Sequence, residues 1–306
     1  MNNLGSFIIT YRRPAQLADT LARLAAQTRP PALVLIVDND NAPETRCILE
    51  QFHPLPTRYL GVPENSGPAG GAYLGLRTLL ELGYEWIHWI DDDDPPSHED
   101  TLERLMAIAA QDASGTAIGG LAEFGQRFNW TTGKIQRLSD NELVGPVAVD
   151  FIPGNGQFIV NAAAARCCGL PSPELFFSFE DLEMSLRLRR SGYRLLVDGE
   201  RMKEARIKAG RFGVPVKTSS INRKKDSLWR NYYSTRGYIY MMRRIFFRND
   251  LAWKQVAREL AKCVLSFRHG PNFGFAFSRL SLLGVVHAYR GKMGRTIPPI
   301  AKEKTE

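Results

Sequence analysis

Short apolar runs alternate with helix-period patterns over the first two-thirds of the chain. Ser6 to Thr10 reads as a strand, and Pro14, its φ already suited to a helix, opens one that carries Leu17, Leu21 and Leu24 on a single face. Leu33 to Val37 is a continuous apolar strand ending at Asp38, and Arg58-Tyr59-Leu60 is a weaker one. A Gly-rich turn and a helix through Leu74, Leu79 and Leu80 lead to a third apolar run, Trp86 to Ile90. A helix through Leu102, Leu105 and Met106 then precedes a strand near Ala117-Ile118. Alternation of this kind predicts an α/β fold, a mostly parallel central sheet flanked by helices.

From about residue 222 the pattern changes to helices rich in aromatics and arginine. The expected division is therefore a catalytic domain over residues 1–221 and a basic helical extension over 222–306. Phe273 to Tyr289 contains one fixed charge, Arg279, and is too short and interrupted for a membrane span. It suits an interfacial helix with Phe273, Phe277, Leu280 and Val285 on its apolar side, or equally an ordinary packing helix.

Charge sharpens the division. Residues 222–306 hold 18 Lys+Arg against 5 Asp+Glu, a net of +13, whereas the first 221 positions carry a net of −5. A polyanionic partner for the tail follows, either nucleic acid or an anionic membrane. Cys47, Cys167, Cys168 and Cys263 lack metal-ligand spacing and read as buried thiols of a reducing cytosol. The N-terminus shows no basic region or cleavage site of a signal peptide.

The chemistry concentrates at Asp91-Asp92-Asp93-Asp94, directly after the Trp86–Ile90 strand and before Pro95-Pro96. Strand ends of open α/β sheets are where ligand crevices form. Crowded carboxylates resist ionising together, and a hard divalent cation relieves that cost. The alternative is a solvated acidic turn before a helix, with Ser97 and Asp100 as a capping box. A second acidic cluster, Glu180-Asp181-Leu182-Glu183, follows Ser178, which the spacing predicts as an N-cap with Asp181 at N3. A first-turn carboxylate is held ionised by the helix dipole, as a general base must be, although capping alone would explain it. Glu64 to Gly71 is a Gly-rich turn before a helix; it could cradle a phosphate or simply turn the chain.

Taken in order, these segments resemble the family 2 inverting glycosyltransferases, which have a GT-A fold. The resemblance runs over roughly residues 5–300. It is carried by Ile9 to Pro14, Gln27 to Pro31, Ile36-Val37-Asp38-Asn39, Asn65 to Gly71, Asp91 to Asp93 with Pro96, and Gly154-Asn155-Gly156. Phe176 to Tyr193 is the most specific match. Trp229 to Arg236 and Tyr289 to Arg295 look like the rhamnosyl- and galactofuranosyltransferase branch.

The resemblance implies roles by position. Thr10, Tyr11, Arg12, Asp38, Asn65 and Gly71 would hold a nucleotide-sugar donor, a UDP- or dTDP-sugar, with Asp92 near the ribose or sugar. Asp91 and Asp93 would bind Mg2+ or Mn2+, and Asp181 would be the catalytic base. Relatives often supply a histidine ligand after the base segment; here none lies between His98 and His269, and Glu204 falls near the expected place. His88 is expected to pack within the sheet. Trp229, Tyr233 and Arg236 could line an acceptor site or pack as helix.

The expected enzyme moves galactofuranose or rhamnose to a glycan or glycolipid acceptor of a cell envelope, on the cytoplasmic face of the membrane. A metal-dependent sugar nucleotidyltransferase would use similar residues, without needing the Asp181 segment. Nucleic-acid binding by the tail is the non-enzyme alternative; the acidic cluster argues against a polyanion partner for that half, and no nucleic-acid partner is expected.

Overall fold

The computed structural model describes residues 3–214 and 228–297. Strand and helix alternate as β1 (Leu4–Thr10), α1 (Pro14–Ala25), β2 (Leu33–Asp38), α2 (Pro43–Gln51), β3 (Thr57–Gly61), α3 (Gly67–Glu81), β4 (Trp86–Asp91), α4 (Thr101–Gln111) and β5 (Ile118–Ala122). There follow β6 (Arg127–Asn129), β7 (Lys134–Gln136), β8 (Pro146–Val149), β9 (Phe158–Asn161), α5 (Ala162–Cys168), α6 (Glu180–Arg190), β10 (Arg194–Asp198) and α7 (Gly199–Lys208). The basic extension is α8 (Leu228–Tyr240), α9 (Asn249–Ser266) and α10 (Pro271–Arg290).

Eight strands form one sheet in the order β3-β2-β1-β4-β9-β5-β10-β8. Only β8 and β9 run against the others, so the sheet is mostly parallel, as its continuous apolar strands predict. Successive side chains feed opposite faces. Phe7, Ile9, Ile87 and Trp89 join one core, and Ile8, Val34, Ile36 and Ile90 join the other. Trp89 stacks between Phe7 and Phe158, with ring centroids 6.0 Å from each.

Register decides what meets at the sheet edge. Thr10 is level with Asp38, and Ile9 with Asp91, so the ends of β1, β2 and β4 share one rim. Antiparallel β9 starts at that rim, Phe158 opposite Trp89. The 3-10 turn Gly154–Gly156 just before it therefore lies beside Asp91.

The expected boundary near residue 221 lies outside the described residues. On either side of it the two parts share a core: Leu182 and Leu186 of α6 cluster with Tyr238, Ile239, Leu251 and Ala288. Phe273 and Phe277 are buried inside the extension, which corrects the interfacial assignment of that α10 face. All four cysteines are free, but Cys47 and Cys167 are exposed, so the expectation of buried thiols fails there.

Candidate active site

The aspartate run divides into four environments. Asp92 is buried, accepting from Thr10 Oγ1 at 2.7 Å and from Arg13 Nη1 at 3.0 Å. The same guanidinium reaches Asp93 Oδ2 at 2.5 Å. Arg13, to which the sequence reading gave no separate role, thus neutralises two of the four carboxylates. Arg13 lies 79 residues before Asp92 in the chain, so no local pattern signals this pairing. Asp92, expected near ribose or sugar, has both oxygens committed to this framework.

Asp91 is partly buried and no cation lies against it among the described residues. Burial, with the charges of Asp94, Asp92, Asp93 and Asp181, pushes its pKa up to about 7. Burial first, then Asp93 and Asp92, also raise Asp94. The loop is held from below by a buried chain. Ser6 Oγ and His88 Nδ1 are 3.0 Å apart, His88 Nε2 and Gln157 Oε1 are 3.0 Å apart, and Gln157 donates to the Asp94 carbonyl at 2.7 Å. His88 is fully buried in the sheet, and burial lowers its pKa to about 4 despite the opposing Gln157 bond. Ser97 donates to Glu123 at 2.6 Å and α4 begins at Thr101 without a side-chain cap, so the Ser97–Asp100 capping box does not form.

Asp181 reaches the same rim from the opposite side. Its Oδ2 accepts from the Gly154 backbone N–H at 2.8 Å, and its Oδ1 from Leu182 N–H at 2.7 Å. A Cβ placed on Gly154 would stand 3.7 Å from Asp91 Oδ2 and 3.8 Å from Asp181 Oδ2, so one glycine separates the two carboxylates. Burial raises Asp181 to about 6, against the lowering effect of the Leu182 and Gly154 hydrogen bonds. Glu180, which the sequence reading left without a role, is raised well above the usual range by burial and by Asp181 and Asp91; its Oε2 is buried without a hydrogen-bond partner.

The predicted capping box is absent here too. Ser178 Oγ lies 3.1 Å from Ser234 Oγ, and the residue before α6 is Phe179 in the left-handed region. Phe176, Ser178 and Phe179 all have positive φ, at 64°, 71° and 71°. Each such non-glycine residue costs on the order of 1–3 kcal/mol, a strain that clusters at functional sites. Glu183 is buried on Arg187 at 2.7 Å, which leaves it no part at the rim.

The Gly-rich turn serves packing. A Cβ on Gly67, whose φ is 70°, would fall 2.0 Å from the Phe176 carbonyl oxygen, and Ala69 N–H donates to that oxygen at 3.3 Å. The N-terminus of α3 is thereby spent on the Phe176 segment, not held open for phosphate. Asn65 accepts from Gly67 N–H at 2.8 Å, and Gly71 lets α3 close on Ile9, where a Cβ would approach within 2.8 Å. Asp38 is buried, accepting from Asp40 N–H, Ala42 N–H and Tyr59 Oη at 2.9, 2.9 and 3.0 Å. Arg12 is exposed on Asp40 at 2.8 Å, 5.1 Å from the Tyr11 ring.

The residues expected to meet an acceptor pack instead. Arg236 is fully buried, donating to the Leu175 carbonyl at 3.1 Å and Thr296 Oγ1 at 2.8 Å, with the Tyr233 ring 4.8 Å away. Tyr233 is fully buried, donating to the Ile297 carbonyl, and Trp229 lies 6.0 Å from its ring. A cavity of about 900 Å³ opens elsewhere, beside Pro153 and Asn155, lined also by Phe124, Gln126, Met202 and Arg211. Glu204 pairs with Arg201 at 2.9 Å on the exposed side of α7.

The donor set fits a divalent cation in kind: hard carboxylate oxygens, with Asp91 held short of full ionisation by burial and by the neighbouring carboxylates. Among the described residues no three acidic, histidine or cysteine side chains already converge on one point. At Asp93 a cation competes with Arg13.

The fold occurs in solved structures. A mannosyltransferase from Pyrobaculum calidifontis, in complex with GDP-Man and Mn2+, matches with a TM-score of 0.53 and 13% identity over 95% of this chain and 88% of that one. TarS residues 1–349 of S. aureus match with a TM-score of 0.52 and 14% identity over 94% and 92%. The architecture is that of the GT-A glycosyltransferases. The family model for glycosyl transferase family 2 covers residues 7–164, and the chain belongs to that family. A galactofuranosyltransferase of Mycolicibacterium smegmatis is 32% identical over 197 residues, 60% of this chain and 65% of the relative, so just under two-thirds of that protein is matched.

Proposed function

We propose that the chain transfers galactofuranose or rhamnose from a UDP- or dTDP-sugar to a hydroxyl of a cell-envelope glycan or glycolipid, with inversion at the anomeric carbon. The observation that carries this reading is the meeting of Asp91 and Asp181 across Gly154. Two carboxylates from distant segments, both with raised pKa, face one rim of the sheet. The likeness to a galactofuranosyltransferase supports the sugar class.

Asp181 accepts the proton of the acceptor hydroxyl as its oxygen bonds to the anomeric carbon and the bond from that carbon to the diphosphate breaks. Gly154 and Leu182 amides orient the carboxylate for this. Asp91 and Asp93 would hold Mg2+ or Mn2+, which when bound would neutralise charge on the departing nucleoside diphosphate. Thr10 and Asp38 end β1 and β2 at the rim, with Tyr11 and Arg12 just beyond; Asp38 and Asp92 shape the loops, and the more open Tyr11 and Arg12 meet the nucleoside. The cavity beside Pro153 and Asn155 takes the acceptor glycan. The acceptor is lipid-linked, and the enzyme sits peripherally on the inner face of the cytoplasmic membrane.

The test is direct. UDP-galactofuranose and dTDP-rhamnose are each incubated with synthetic lipid-linked acceptors, with and without Mn2+, and product configuration is read by NMR. One donor should be consumed in a metal-dependent way, giving an inverted linkage. Retention of configuration, or formation of nucleotide-sugar from sugar phosphate with release of pyrophosphate, would overturn the reading.

A further inference from the structure

Trp253, Leu260 and Val264 of α9 are separated by seven and four residues, which sets them on one helix face. Phe275, Leu282 and Val286 of α10 repeat that spacing. All six are exposed, Trp253 at 61%, Val264 at 74% and Phe275 at 68%. The stripes belong to one surface, because the hairpin is pinned at both ends. The Trp253 ring lies 5.6 Å from that of Tyr289 at the open end, and Phe267 lies 5.2 Å from Phe275 at the turn. The other sides of both helices are already used, with Val256, Cys263, Phe273 and Phe277 buried.

Charge specifies the occupant. No Asp or Glu occurs between Glu259 and Glu303, while Lys262, Arg268, Arg279, Arg290, Lys292 and Arg295 fall in that stretch. Among the described residues Arg268, Arg279 and Arg290 have no carboxylate partner, and Glu259 is buried on Lys262. No described helix is long and apolar enough to cross a membrane. An apolar helix face that carries unneutralised arginines, Arg279 within the α10 stripe and Arg268 and Arg290 near its ends, has the composition of an interfacial surface, apolar side chains for the acyl boundary and cations for the lipid phosphates.

We propose that the exposed face of the α9–α10 hairpin lies flat on an anionic bilayer through Trp253, Leu260, Val264, Phe275, Leu282 and Val286. This rests on the membrane-associated reading above and names the surface that makes the contact. It is distinct from the Phe273–Phe277 face, which the fold has buried.

Full-length protein is floated with phosphatidylcholine vesicles and with vesicles containing about 30% phosphatidylglycerol, a composition that gives the bilayer a negative surface potential. The parent should float with the anionic vesicles only. The combined variant Leu260→Ser, Val264→Ser, Val286→Ser, which leaves both ring contacts of the hairpin in place, should bind at least about tenfold more weakly. Its melting temperature should match the parent, since the altered side chains stand in solvent. Val144→Ser, removing an equally exposed valine far along the chain, should bind as the parent does. A parent that ignores anionic vesicles overturns both this inference and the membrane reading. A parent that binds while the triple variant binds equally well overturns the surface alone. A concentration-dependent dimer in sedimentation, lost in the triple variant while vesicle binding persists, assigns the face to a second copy and overturns the bilayer.

Discussion

Asp181 is tied to Gly154 by a 2.8 Å hydrogen bond from the glycine N–H, so the first turn of α6 and the turn before β9 are fixed to one another through the carboxylate proposed as the base. Two backbone donors favour the ionised carboxylate, while burial disfavours it. The balance leaves a carboxylate basic enough to take a proton and oriented by peptide groups instead of flexible side chains.

Asp181→Asn should therefore separate chemistry from binding. The amide oxygen can still accept from Gly154, but the side chain cannot take the acceptor's proton. Turnover should fall on the order of 100- to 10,000-fold, about 3–5 kcal/mol in the barrier. Donor affinity, measured by calorimetry, should stay within a few-fold of the parent, as should the melting temperature. Near-parental transfer would demote Asp181 and shift attention to Glu180.

The pH profile follows from the direction of the shift. Asp181 is raised from 3.8 to about 6, so it is protonated and inactive below that pH. The rate should fall about tenfold per pH unit on the acid side of that value. Stability moves the other way: a carboxylate with a raised folded pKa contributes stability that is full below its unfolded pKa and lost as pH rises through about 6. Loss of activity in mild acid should thus occur without any fall in melting temperature due to this group. A rate that is flat from about pH 5 to 8 would remove the base assignment.

Metal binding is read without turnover. Mn2+ alone should raise the melting temperature, and more at about pH 8 than at about pH 5.5, because Asp91 must lose a proton near pH 7 to bind it. Asp91→Asn should abolish the shift, and Asp93→Ala should weaken it while freeing Arg13. An unchanged shift in Asp91→Asn, or nucleotide-sugar affinity indifferent to EDTA, would exclude these ligands.

Gly67→Ala should be among the most damaging single-methyl additions. The new Cβ would stand 2.0 Å from the Phe176 carbonyl oxygen at a φ of 70°. Clash and left-handed strain together should cost more than about 3 kcal/mol. Gly83→Ala shares the positive φ but meets open space, and should cost only about 1 kcal/mol. Chemical denaturation of both variants distinguishes the contact from the dihedral.

The sheet was legible because its strands announce themselves. Leu33 to Val37 and Trp86 to Ile90 are continuous apolar runs, and their ends at Asp38 and Asp91 give the rim. His88 was also readable as a sheet residue, since a polar side chain within such a run must be satisfied inside. Illegible were the features made by long-range contact. Gly154 meets Asp181, Arg13 spans Asp92 and Asp93, and Phe176 occupies the α3 turn, none of which leaves a local pattern. The capping box at Ser178 failed for a related reason: the tertiary fold draws Ser178 toward Ser234 and holds Phe179 left-handed. On α10 the helical period was clear, but both faces are apolar, and period alone does not say which one the core takes.

Arg236 gives the extension a hold on the segment that carries Asp181. Its guanidinium donates to the Leu175 carbonyl, one residue before the left-handed run that delivers Asp181, and the Phe176 ring packs 5.1 Å from that of Tyr233. The tail cannot be exchanged or cut away like a tether, since the peptide leading to Asp181, the proposed base, is clasped by it. A force on the α9–α10 hairpin would be transmitted through α8 to Leu175, so the proposed anchoring of that hairpin and the pointing of the Asp181 carboxylate are mechanically one question.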